Sequence, residues 1–263
     1  MLPRWAVMIT DEAADRAPRG KGGERRCPGP CPAEPTPHRE RWLRSYGRRR
    51  GRRPSARQAE LIERLLPRVA VSLERPAPAR LADLFDAPVE DVWLEVGFGG
   101  GEHLLWQAKH HRNVGIIGCE PFRDGIIKVL AAIDAEGLGN LRLYADDARP
   151  LFAWLPQSGV ARVFVLFPDP WPKKRHHKRR LLSTATFALF ARILRPAGQV
   201  RIATDDAAYA AAILEAMRRQ GDFAEVSGST GQAQRPDDWP ATRYEEKARR
   251  AGRACRLISL RRK

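Results

Sequence analysis

From residue 91 onward the chain repeats one pattern: a short β-branched or apolar run, a polar or glycine-bearing turn, then a stretch of helical period. The runs fall at 92–96, 114–118, 141–145, 163–167 and 199–203, and the helical stretches at about 101–110, 122–136, 179–194 and 206–219. In the second stretch Phe122, Ile126, Ile127, Leu130 and Ile133 recur on one face. Strands alternating with helices in this way predict an α/β fold, a mostly parallel sheet with helices on both faces and right-handed crossovers. A last alternating run near 253–260, beyond a polar, proline-containing loop after Phe223, is expected to close the sheet as antiparallel edge strands. A helix from about Ser55, with Leu61, Ile62, Leu65 and Leu66 on one face, precedes the repeat.

The 263 residues suffice for one such domain, expected over 39–263 with a basic amino-terminal arm. Residues 1–38 hold seven of the 21 prolines and four glycines with little periodic apolar content, so a disordered extension is expected there. Cys27, Cys31 and His38 in that stretch lack the second Cys/His pair that structural zinc requires, and no metal is expected. Four cysteines are too few for a disulfide scaffold and fit a reduced, cytoplasmic compartment. No run approaches the 18 apolar residues of a membrane span, and the apolar stretch at 5–9 is too short for a signal-peptide core.

The net charge of +16 is concentrated rather than spread. Residues 39–57 contain nine arginines and one glutamate, 171–180 six basic residues and no acid, and 243–263 nine basic residues against two acids. The remainder is mildly acidic. Most of these cations are arginines, whose planar forks suit phosphate and base stacking, and no amphipathic apolar stripe accompanies them, so nucleic acid is favoured over a membrane surface.

The first βα turn reads Glu95-Val96-Gly97-Phe98-Gly99-Gly100-Gly101-Glu102. Its glycines let backbone approach a ligand closely, but Glu95 and Glu102 flank it where a pyrophosphate would be repelled. The acids favour a ligand carrying positive charge; S-adenosyl-L-methionine, a sulfonium, is one. Glu120 follows the second strand, 23 residues after Gly97, close to the spacing at which a carboxylate meets ribose hydroxyls. Asp147 follows the third strand and Asp169 the fourth, so four consecutive predicted strand ends carry an acid. Capping of helix amino termini explains any one of them equally well.

The fourth turn is the most specific segment: Phe167-Pro168-Asp169-Pro170-Trp171-Pro172-Lys173-Lys174-Arg175-His176-His177-Lys178-Arg179-Arg180. Three prolines restrict its backbone, so Asp169 is held beside an aromatic platform, Trp171, and a basic run. That combination suits positioning a nucleobase against a methyl donor.

With the segments Gly118-Cys119-Glu120, Asp147-Ala148, Ala203-Thr204-Asp205 and Thr242-Arg243-Tyr244-Glu245, these motifs in this order resemble the bacterial tRNA (guanine-N7-)-methyltransferases of the TrmB family over about residues 40–260. The resemblance implies a Rossmann-like S-adenosyl-L-methionine-dependent methyltransferase fold with a mostly parallel seven-stranded sheet. It implies methyl transfer to N7 of the guanosine at position 46, in the variable loop of tRNA. Carried over by position, Glu95, Gly97, Gly99, Glu120, Asp147 and Asp169 are cofactor residues and Asp169 is also catalytic. Lys173, Asp205, Thr242, Arg243, Tyr244 and Glu245 are substrate contacts. Ala248 stands where the family often has glycine. The partner implied is tRNA, with neither membrane nor DNA, for a monomer or homodimer.

On the residues alone, a non-catalytic RNA-binding protein of this fold would not need acids at four strand ends. An amino-group methyltransferase commonly ends its fourth strand in Asn/Asp-Pro-Pro-aromatic, whereas one proline follows Asp169 here. A nicotinamide enzyme is disfavoured by Glu95 and Glu102. Cys119 and Cys255 read as core residues, and His176 and His177 as RNA-contacting or solvated.

Overall fold

A computed structural model describes residues 49, 51–226 and 238–263. The expected extension 1–38, with Cys27, Cys31 and His38, lies outside them. Helix α1 (Ala56–Arg64) opens with a capping box in which the Ser55 hydroxyl and the Gln58 side chain exchange hydrogen bonds with each other's backbone, and α2 (Leu66–Val69) follows directly. The repeat then runs β1 (Asp91–Val96), α3 (Glu102–His110), β2 (Val114–Cys119), α4 (Arg123–Glu136), β3 (Leu141–Tyr144), α5 (Ala148–Trp154) and β4 (Val160–Leu166). After a 3-10 helix (Lys174–Arg179) come α6 (Thr184–Ile193), β5 (Leu194–Thr204), α7 (Ala207–Gln220), β6 (Phe223–Glu225), α8 (Arg243–Arg250) and β7 (Arg256–Arg262).

The seven strands form one sheet in the order β3-β2-β1-β4-β5-β7-β6. The first five are parallel; β7 runs antiparallel to β5 and β6. This is the mostly parallel, seven-stranded Rossmann-like architecture that the resemblance implies. Two apolar layers sandwich the sheet. One gathers Phe152, Phe187, Phe190 and Ile213, and the other Leu66, Leu104, Ile126 and Leu130.

Three expectations need correction. The helix placed at 179–194 is two elements, because Ser183 accepts from the Thr186 amide and starts α6 only there, while 174–179 winds as a 3-10 turn. The final strand is not an edge: β7 sits between β5 and β6, and the three-residue β6 takes the edge. The loop after Phe223 contains α8, capped by Thr242, whose hydroxyl accepts from the Glu245 amide.

Of the basic stretch before α1, Arg49 pairs with Asp146 at 2.9 Å and its carbonyl accepts from the Arg123 amide, so this residue sits at the start of α4.

Candidate active site

The strand order reverses between β1 and β4, and α/β sheets bind ligands outside the carboxyl ends of strands at such a point. A cavity of about 420 Å³ opens there. Gly97, Gly99, Glu120, Asp147, Asp169 and Tyr244, all singled out in the sequence, line it together.

Glu120 is its anchor. The buried carboxylate accepts from the Gly99 amide at 2.7 Å and the Phe122 amide at 2.9 Å, stapling the glycine turn to the start of α4. Burial pushes this carboxyl above its ordinary range, the two amides pull it back, and the nearby Asp169 and Glu95 carboxylates raise it further. Gly97 and Gly99 have φ of 75° and 55°, which L side chains rarely adopt. A Cβ on Gly125 would lie 2.1 Å from the Gly99 carbonyl oxygen, so α4 meets the turn through bare backbone.

Asp147 is the N-cap of α5. It accepts from the Arg149 amide at 2.9 Å and from the Arg149 guanidinium at 2.8 Å, so the capping role and the place at the cavity coincide in one residue. Sequence reasoning missed Arg149, which also lines the cavity; its place two residues after a strand-end acid was the available signal.

Asp169 sits in a locked turn. The Phe167 amide donates to the Ala203 carbonyl at 2.7 Å, and Arg180 Nε donates to the Pro170 carbonyl at 2.7 Å. The Arg180 guanidinium lies over the Tyr209 ring, 4.8 Å from its centroid, and that buried phenol is pushed up to about 12, chiefly by burial. Trp171 packs edge-on to His176 and beneath Arg179, whose guanidinium carbon is 4.9 Å from the ring centroid. Asp169 itself is open to water on one side, yet the walls around it desolvate its carboxyl enough to raise its pKa.

The other candidates, Tyr244 apart, lie elsewhere. Glu95 is buried under the glycine turn and bonded to His103 Nδ1 at 2.7 Å rather than lining the cavity. Lys173 is exposed at the start of the 3-10 helix. Asp205 pairs with Arg253 at 2.7 Å. Arg243 approaches Glu102 at 3.6 Å, and Tyr244 stacks on Phe167 with ring centroids 6.2 Å apart. Thr242 and Glu245 share the cap of α8. Cys119 is buried, its thiol donating to the Asp146 carbonyl and pushed up by burial, while Cys255 is half-buried. Among the described residues no three His, Cys, Asp or Glu side chains are placed to hold a metal ion.

The cavity suits S-adenosyl-L-methionine on its own chemistry. Glu120 and Asp169 line it as acids, Arg149 is matched by Asp147, Arg179 adds a cation to the lining, and the glycine turn leaves room for close backbone approach. A ligand bearing a sulfonium, an ammonium and a carboxylate meets both signs there.

Fold and site together define an enzyme that transfers a methyl group from S-adenosyl-L-methionine. Residues 89–257 match a family model described as putative methyltransferase. A tRNA (guanine-N(7)-)-methyltransferase of Chelativorans sp. (strain BNC1) is 48% identical across 79% of this chain and 90% of its own length. Another, from Rhodopseudomonas palustris (strain BisA53), is 41% identical across 97% of this chain and 94% of its own. The chain belongs to the tRNA (guanine-N(7)-)-methyltransferase family.

Proposed function

We propose that this chain methylates N7 of the variable-loop guanosine, position 46, of tRNA, with Asp169 as the catalytic carboxylate. The observation that carries the reading is the Asp169 carboxyl, held by a braced proline turn at the mouth of the cavity and adjoining the exposed basic 3-10 helix. S-adenosyl-L-methionine, when bound, supplies a methyl group activated by positive sulfur. Guanine N7 has an in-plane lone pair, so no proton has to leave before it attacks, and the protein's task is alignment. Orienting two bound reactants is worth up to roughly 7–11 kcal/mol.

As the methyl moves, positive charge develops on the purine, and the Asp169 carboxylate favours that charge. Glu120, braced by two amides, and Asp147 hold the nucleoside end of the cofactor. Lys173, Thr242 and Glu245 contact the guanine, and the exposed Lys174, Arg175 and Lys178 take phosphate. Tyr244, resting on Phe167, and Trp171 give the base aromatic surfaces.

The test is transfer of labelled methyl from S-adenosyl-L-methionine to unmodified tRNA, followed by nucleoside analysis. The expected product is 7-methylguanosine, lost when the variable-loop guanosine is replaced. Methyl on an exocyclic amine, or on a guanosine elsewhere, overturns the reading.

A further inference from the structure

We infer that Glu95, His103 and Gln107 form a relay of positioning residues that keeps the segment 238–245 in register with the glycine turn. The inference rests on the reading above, in which that segment contacts the substrate guanosine. Glu95 is the penultimate residue of β1, two before Gly97, and its carboxylate is buried away from the cavity at 2% exposure. His103 Nδ1 lies 2.7 Å from Glu95 Oε2. His103 Nε2 lies 3.1 Å from Gln107 Nε2, which also lies 2.7 Å from the Asp238 carbonyl oxygen.

An amide nitrogen only donates, so Gln107 gives one hydrogen to His103 and one to Asp238. His103 therefore accepts at Nε2 and gives its Nδ1 proton to Glu95. Turning the amide over would set Oε1 against the Asp238 carbonyl, so the direction of the whole chain is fixed. Gln107 Oε1 is buried with no hydrogen-bond partner among the described residues; the side chain keeps its two donor contacts although its acceptor goes unsatisfied.

The far end is anchored as firmly. The Asp238 carboxylate takes Arg201 at 2.7 Å and Arg162 at 3.2 Å. Trp239 is buried, its ring 6.2 Å from that of His103. Nearer the surface Arg243 meets Glu102, and a Cβ on Gly99 would lie 3.1 Å from Tyr244 Cε2. One helix, α3, thus grips the segment through residues 102, 103 and 107, and the same helix begins at the last glycine of the cofactor turn. A change in the position of Gly97 to Gly101 is passed to Tyr244 and Glu245 along two lines, one buried and one exposed.

The test uses the full chain, S-adenosylhomocysteine as probe and unmodified tRNA as substrate. Gln107→Met keeps length and volume but removes both donors. In the parent protein, S-adenosylhomocysteine is expected to slow hydrogen exchange at amides between 239 and 246. In Gln107→Met those amides should exchange about tenfold faster, the effect of losing one hydrogen bond, and no longer respond to the probe. Probe affinity and KM for the methyl donor should stay within about twofold while kcat falls, a split that general destabilisation would not produce. The inference is overturned if the parent protein shows no such response, or if exchange at 239–246 is the same in the variant. It is equally overturned if the variant loses about tenfold in probe affinity with exchange there unchanged, since the relay would then serve the cofactor directly. Exchange is measured without RNA, so a wrong acceptor base leaves this result standing and is detected separately.

Discussion

Phe167 and Trp171 bracket Asp169 with the same unusual backbone: both are non-glycine residues in the left-handed region, at φ of 51° and 44°. Such conformations cost roughly 1–3 kcal/mol each and persist where the surroundings over-determine them. Here the surroundings are the Phe167 amide on β5, Arg180 on the Pro170 carbonyl and Arg179 over Trp171. The turn is built to present one carboxylate.

Replacing that carboxylate is therefore predicted to affect the chemistry and spare binding. Asp169→Asn should lower kcat by roughly 10²–10³-fold, the usual cost of losing one electrostatic stabiliser of a transition state. Affinity for tRNA, carried mainly by phosphate contacts, should stay within about twofold. Methyl-transfer kinetics and filter binding on the same preparation check both; an unchanged kcat removes Asp169 from the mechanism.

The same substitution should stabilise the fold. Burial raises the Asp169 pKa in the folded state, so the native protein holds that proton more tightly than the unfolded chain. The group's favourable contribution is present below the unfolded value of about 3.9 and is lost as pH rises through the raised folded value. At neutral pH the ionised group opposes folding, and Asp169→Asn should melt above the parent protein at pH 7, with the difference vanishing near pH 3. Equal melting temperatures at pH 7 would mean that the turn accommodates the charge without cost.

Gly125 makes a separate prediction. An added Cβ meets the Gly99 carbonyl oxygen at 2.1 Å, a backbone atom that yields only if the glycine turn moves. Gly125→Ala should cost about 1–3 kcal/mol, as overpacking does, and weaken cofactor binding. Calorimetric titration with S-adenosylhomocysteine measures the second effect. Gly137→Ala is the control: its φ is 61°, nothing lies within 4 Å of the new Cβ, and it should lose stability alone.

The exposed 3-10 helix should be read by salt. Replacing Lys174, Arg175 and Lys178 with glutamine is predicted to weaken tRNA binding and flatten the dependence of log affinity on log salt, by about 0.7–0.9 for each phosphate that is no longer neutralised. Titrations at several ionic strengths test this, and an unchanged slope would make the run a bystander.

How far the residues announce all this depends on the range of the interaction. Runs such as Val163 to Val165 are buried on both faces and read as strand from composition alone. Asp169, Glu120 and Asp147 are visible because each lies within three residues of the end of its strand. Helix α5 is not foreseen, since Pro150 lies within its first turn, and α8 is not because Ala248 is its one buried residue, leaving no apolar stripe to count. The bond between Gln107 and Asp238 spans 131 residues of chain, and no periodicity records a partner that distant. Glu95 stands out in the sequence for its position before the glycine turn, but the direction of its side chain is set by His103 on the next helix.

The place of β7 bears on how the protein is made. Because it is inserted between β5 and β6, β5 presents an open row of amides and carbonyls until residues 256–262 have left the ribosome. An uncovered strand edge invites pairing with another chain. The nascent polypeptide thus passes through an interval when most of its sheet exists and its flank is bare, and α8, made just before β7, has no finished edge beside it. Growing chains stalled in that interval would be more prone to aggregate than chains that have incorporated β7.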